Sequence, residues 1–66
     1  MKLLVNGEFR SVEENTTVAE LIEILGLAPK AVIVELNGEL VAKDTYADAT
    51  LCSESKVEII QFVGGG

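Results

Sequence analysis

Few groups in this sequence could carry chemistry. Cys52 is the only cysteine and histidine is absent, so neither a Cys-His nucleophile pair nor the companions of a zinc site can be assembled from its side chains. No phosphate-cradling G-x-x-x-x-G-K-S/T segment occurs. The carboxylate pairs Glu13-Glu14 and Asp44-Asp48 could share acid/base work in principle, but in so small a chain they read as solvated surface. What remains is backbone, the run Gly64-Gly65-Gly66. Glycine has no side chain, so Gly64 and Gly65 can thread a narrow cleft in a partner enzyme where a larger residue would clash. Fully extended, the three residues reach about 10 Å beyond the element before them. The reactive group is then expected to be the Gly66 carboxylate at the chain terminus. Attack on ATP inside a partner gives an acyl-adenylate, and a sulfur nucleophile converts its carbonyl to a thiocarboxylate. That scheme needs no base, metal ligand or nucleophile from the chain, which is expected to bind no cofactor and to be no enzyme. A glycine run alone is more often a frayed end, so the weight falls on what positions it.

The pattern upstream predicts a single domain over 1–63 followed by a glycine tail over 64–66. Met1, Leu3 and Val5 alternate with Lys2, Leu4 and Asn6, and Asn6-Gly7 is a strong hairpin signal before Phe9 to Val12 resume an extended pattern. Thr17-Val18-Ala19-Glu20 reads as a capping box. Behind it, Val18, Leu21, Ile22 and Leu25 fall on one helical stripe, stopped by Gly26 and Pro29. Ala31 to Leu36 is β-rich, Asn37-Gly38 repeats the hairpin signal before Glu39 to Ala42, and Val57 to Val63 form a last strand. Residues 43–55 lack periodicity and predict a polar connection with at most a short turn near Asp44 to Tyr46. The implied architecture is α+β, a β-grasp: one helix across one face of a mixed four- to five-stranded sheet, with the last strand parallel to the first.

One covered face should leave strands that alternate apolar and polar residues. Met1, Leu3, Val5, Val32, Val34, Leu36, Val57 and Ile59 form the expected core set. Leu4, Ile33, Ile60 and Phe62 fall at the opposite parity, and Ile60, Phe62 and Val63 lead into the glycines. These five residues, Leu4, Ile33, Ile60, Phe62 and Val63, are therefore candidates for a partner-docking surface on the open face.

A net charge of −6, from eleven acidic and five basic residues, opposes phosphate backbones, so nucleic acid is not an expected partner. The apolar start Leu3-Leu4-Val5 is too short for a signal peptide, and no stretch reaches membrane-spanning length, so no membrane is expected. With a lone cysteine, expected to be a structural residue of small hydrophobic character, the chain suits a reducing compartment and the cytoplasm.

The Asn6-Gly7 hairpin, the Thr17-Val18-Ala19-Glu20-Leu21 helix start, Val34-Glu35-Leu36-Asn37-Gly38 and the ending Val57 to Gly66 occur in order along the whole chain. Together they resemble the ThiS sulfur carriers of thiamin biosynthesis, small proteins related in fold to ubiquitin. The resemblance implies that an E1-like enzyme of the ThiF type adenylates Gly66 with ATP. A sulfur donor enzyme then yields the thiocarboxylate, and the thiazole synthase ThiG accepts the sulfur. Gly65 and Gly66 match the family's functional diglycine. Three alternatives stay open: the small subunit of molybdopterin synthase, a ubiquitin-like modifier joined to lysines through Gly66, and an interaction module with an inert tail.

Overall fold

The structure, a computed structural model, describes residues 1–61. Strands β1 (Lys2–Val5) and β2 (Glu8–Ser11) form an antiparallel hairpin with Leu4 opposite Phe9 and Val5 opposite Glu8. Its turn places Asn6 at φ 49° and Gly7 at φ 83°, the pair of positive φ values that a two-residue I′ connection demands. The helix α1 (Val18–Ile24) starts with the expected capping box. The Glu20 N–H donates to Thr17 Oγ1 at 3.2 Å and the Thr17 N–H donates to Glu20 Oε1 at 2.9 Å. The other first-turn amides, which have no partner inside a helix, also find acceptors: Val18 N–H donates to the Ala49 carbonyl and Ala19 N–H to the Tyr46 carbonyl, both at 2.9 Å. At the far end Gly26 turns left-handed at φ 74°. Its N–H donates to the Glu23 carbonyl, and the Leu27 N–H to the Ile22 carbonyl, which together make a Schellman cap.

A 3-10 turn (Pro29–Ala31) leads into β3 (Val32–Leu36), the Asn37-Gly38 turn, β4 (Glu39–Leu40), a second 3-10 turn (Lys43–Thr45) and finally β5 (Lys56–Gln61). The sheet order is β2-β1-β5-β3-β4, with β5 parallel to β1 and antiparallel to β3. This is the β-grasp arrangement, with five strands. β3 and β4 are shorter than the sequence suggests, because the Pro29 turn takes in Ala31 and the pairing with β3 ends at Leu40. The expected extension of the last strand through Phe62 and Val63, and the tail Gly64 to Gly66, lie outside the described residues.

The core joins Leu3, Val5, Val32, Val34, Val57 and Ile59 of the sheet to Val18, Leu21 and Ile22 of the helix. Met1, Leu25 and Leu36 pack against it half-buried. Leu25 stands at the C-cap, where the stripe leaves the helix. Residues 43–55 differ from the expected polar connection. Tyr46 and Leu51 are buried within the core, and the Tyr46 hydroxyl donates to the Val32 carbonyl at 3.4 Å. The segment closes over the start of α1 through its two carbonyls and through Leu51 N–H donating to the Thr16 carbonyl at 2.8 Å. Cys52 also departs from expectation. Leu51 takes the core position, and the cysteine beside it is exposed.

Candidate functional site

Every candidate site residue lies on β5, on a strand beside it, or among residues 62–66 that follow β5 in the sequence. β5 lies between β1 and β3 but is held unequally by them. Against β3 it is paired along its length, from Leu36 opposite Val57 to Val32 opposite Gln61. Against β1 it is paired only at Leu4 with Lys56 and Val5 with Val57, because β1 turns away at Asn6. Alternation along β5 sends Val57 and Ile59 into the core and Lys56, Glu58 and Ile60 to the open face.

On that face the structure brings some of the expected docking residues together and separates another. Ile33 stands directly opposite Ile60, which is 52% exposed, and the two form an apolar pair at the C-terminal end of β5. Leu4 lies on the same face but is level with Lys56, at the other end of the strand. Ile60 lies four positions further along β5 than that level, roughly 13 Å along the strand. Leu4 instead adjoins Phe9, its cross-strand neighbour, which is exposed and carries the Lys2 ammonium 4.7 Å from its ring centroid. The open face therefore holds two apolar clusters, with Glu58 and its cross-strand partner Glu35 between them. Phe9 was not among the residues expected here. Its parity with Leu4 becomes visible only once the hairpin register is fixed. Phe62, Val63, Gly64, Gly65 and Gly66 lie outside the described residues.

The sequence also does not announce a second use of both Asn-Gly turns. Asn37 Oδ1 accepts a hydrogen bond from the Lys56 N–H at 2.9 Å, at the start of β5. Asn6 Oδ1 accepts from the Ile59 N–H at 2.7 Å, and Asn6 Nδ2 donates to the Ile59 carbonyl at 3.3 Å. A turn signal explains asparagine at positive φ, but only the tertiary register shows that each amide also reaches β5.

A shallow groove of about 340 Å³ between the hairpin and the end of α1 is lined by Val5, Asn6, Glu8, Phe9, Arg10, Leu25 and Leu27. It gathers no nucleophile with a base. Among the described residues no three His, Cys, Asp or Glu side chains stand close enough to share a metal ion, and no helix is long and apolar enough to cross a membrane.

Fold and site together define a β-grasp domain of the ubiquitin-like kind, whose central strand precedes the glycine run in the sequence and ends beside an isoleucine pair, Ile60 exposed and Ile33 half-buried. The sequence model of the ThiS family matches residues 3–66. The chain belongs to the ThiS family. It is 38% identical over 65 residues to the sulfur carrier protein ThiS of Bacillus subtilis, a match covering 97% of this chain and 98% of that protein. It is also 42% identical over 66 residues to a thiazole synthase of Paramagnetospirillum magneticum. That match takes in all of this chain but spans only 20% of the synthase's length. A crystal structure of a thiamine biosynthesis protein (ThiS) from Geobacter metallireducens superposes with a TM-score of 0.85 at 38% identity, covering the whole of both chains.

Proposed function

We propose that this chain is a sulfur carrier of thiamin biosynthesis whose reacting group is the carboxyl carbon of Gly66. The observation that carries the reading is the family match, which runs through the glycine tail and covers nearly the whole of a sulfur carrier protein. The fold supports it, since β5 is anchored in the core by Val57 and Ile59 and runs toward the glycines. In the proposed sequence a Gly66 carboxylate oxygen attacks the α-phosphorus of ATP, held by a ThiF-type partner, and pyrophosphate leaves. Hydrosulfide delivered by a donor enzyme then attacks the acyl carbon and AMP departs with a proton lost to solvent, leaving the thiocarboxylate. Transfer of that sulfur to the substrate of a thiazole synthase, with an oxygen from that substrate or from water taking its place on the acyl carbon, restores the carboxylate. The likeness of the whole chain to part of the Paramagnetospirillum thiazole synthase supports that acceptor.

The chain's own part is to present the end, through Gly64 and Gly65, while Ile33 and Ile60 dock the partner beside it. Its side chains take no covalent role, so it acts as a co-substrate rather than a catalyst. The cytoplasm supplies the ATP and the reduced sulfur that this cycle uses.

Intact mass spectrometry tests the proposal after incubation with the activating enzyme, ATP and a sulfur donor. The expected product has one oxygen replaced by one sulfur. Gly66→Val should keep the fold and yield no thiocarboxylate, because a branched side chain blocks the cleft. Normal yield from that variant, or adducts joined to lysines of other proteins in place of the sulfur product, would refute the carrier reading.

A further inference from the structure

The β1 side of β5 raises a hydrogen-bonding problem at Ile59. The last backbone bond across that side is Asn6 N–H to the Val57 carbonyl, at 2.9 Å. One step further on, the Ile59 N–H and carbonyl face the place where β1 would have continued, and Ile59 is only 8% exposed. Buried peptide groups left without partners are costly. The Asn6 amide supplies both: its oxygen accepts from the Ile59 N–H and its nitrogen donates to the Ile59 carbonyl. A primary amide has the same donor and acceptor as a peptide group, so Asn6 stands in for the next residue of β1.

The turn does not require this. Glycine is also accepted at the first central position of such a hairpin, where the backbone needs only a positive φ. Asparagine at position 6 therefore serves a second purpose, and that purpose falls on the last stretch of β5, next to the Ile33–Ile60 pair.

We infer that Asn6 is a positioning residue for activation of the chain. Its amide holds Ile59, and through it Ile60 and Gln61, in the arrangement on which the activating enzyme docks. The inference rests on the carrier function proposed above. Without the amide, β5 beyond Glu58 is held by β3 alone. The partner must then order this stretch as it binds, and that ordering cost weakens docking. Chemistry at Gly66 is unaffected once the complex has formed, so the deficit belongs in KM and not in kcat.

The test is pyrophosphate release by a ThiF-type enzyme with ATP, at varied concentrations of the full-length chain. Asn6→Gly preserves the turn and deletes the clamp. It should raise KM for the chain about fivefold or more with kcat nearly unchanged, and should speed hydrogen exchange at the Ile59 amide. Asn6→Asp keeps the acceptor for the Ile59 N–H but sets an oxygen against the Ile59 carbonyl, and should shift KM in the same direction. Asn37→Gly removes the corresponding bond to Lys56 at the opposite end of β5. It should lower thermal stability while leaving KM unchanged.

An Asn6→Gly chain with wild-type KM despite faster exchange at Ile59 would overturn the role of Asn6 alone. A KM that rises equally in Asn37→Gly would overturn it too, by tracing the effect to general loosening. If the wild-type chain itself releases no pyrophosphate, the carrier function falls and this inference with it.

Discussion

Leu21→Ala places the heaviest single load on the helix register. Leu21 is fully buried, on the face of α1 turned to the sheet. Truncating a leucine in such a site costs about 2–5 kcal/mol, the transfer free energy of the lost carbons plus a term for the cavity they leave. At about 0.05–0.15 kcal/mol per residue, a chain of this length has a total stability of roughly 3–10 kcal/mol. The substitution therefore removes between a fifth and all of it. Unfolding entropy near 2.1 cal/mol/K per residue comes to about 0.14 kcal/mol/K for the domain, so each kcal/mol moves Tm by about 7 °C. The expected fall is about 15–35 °C in a melt followed by circular dichroism. Ile24→Ala in the same helix is the matched control. Ile24 is 51% exposed, and alanine has the better helix propensity, so its melt should move by no more than about 4 °C. Equal losses at positions 21 and 24, or a Leu21→Ala melt within 5 °C of wild type (under about 1 kcal/mol on the same scale), would show that the helix presents a different face to the sheet.

Thr17→Ala should cost about 1 kcal/mol by removing the oxygen that caps the Glu20 N–H. Thr17→Ser should restore most of the loss in the same melt, and a neutral Thr17→Ala would mean that the box adds nothing to stability. Ile60→Asp should reduce affinity for the activating enzyme about tenfold or more in a titration, with little change in Tm because the side chain is half-exposed. Phe9→Asp, in the other apolar cluster, should leave that affinity within about threefold, and the reverse ranking would move the docking surface to the Leu4–Phe9 end.

The elements fixed by local chemistry are legible in the sequence. Thr17 and Glu20 are three residues apart and find each other wherever the helix forms, and Asn-Gly dictates its own turn. Parity along β5 likewise sorted Val57 and Ile59 from Ile60. The features that were not legible depend on register between distant segments. Tyr46 and Leu51 are single anchors in a stretch without period, and they are buried because residues 43–55 fold back over the start of α1. Leu4 and Ile60 share a parity, and parity says nothing of their distance along the strands. The parallel register of β1 with β5 separates them and gives Leu4 to Phe9 instead. Asn6 and Ile59 are 53 positions apart, and no local pattern joins them.

On the carrier function proposed above, the chain end must satisfy two opposed demands, a fixed base and a free lead. β5 meets the first by being an inner strand: it pairs with neighbours on both edges and contributes Val57 and Ile59 to the core. Loosening it therefore means disturbing the centre of the domain rather than a margin. Its weakness is geometrical. The two-residue turn at Asn6-Gly7 ends β1 before β5 ends, and a longer β1 would have to surrender that turn. The amide of Asn6 resolves the conflict by extending the pairing of β1 by one peptide without extending the strand. Rigidity at Ile59 and tightness of the hairpin thus meet at the same residue, the first through its side chain and the second through its backbone. This is why substitution at position 6 should reveal itself first in partner docking, and why Asn6→Gly separates the clamp from the turn.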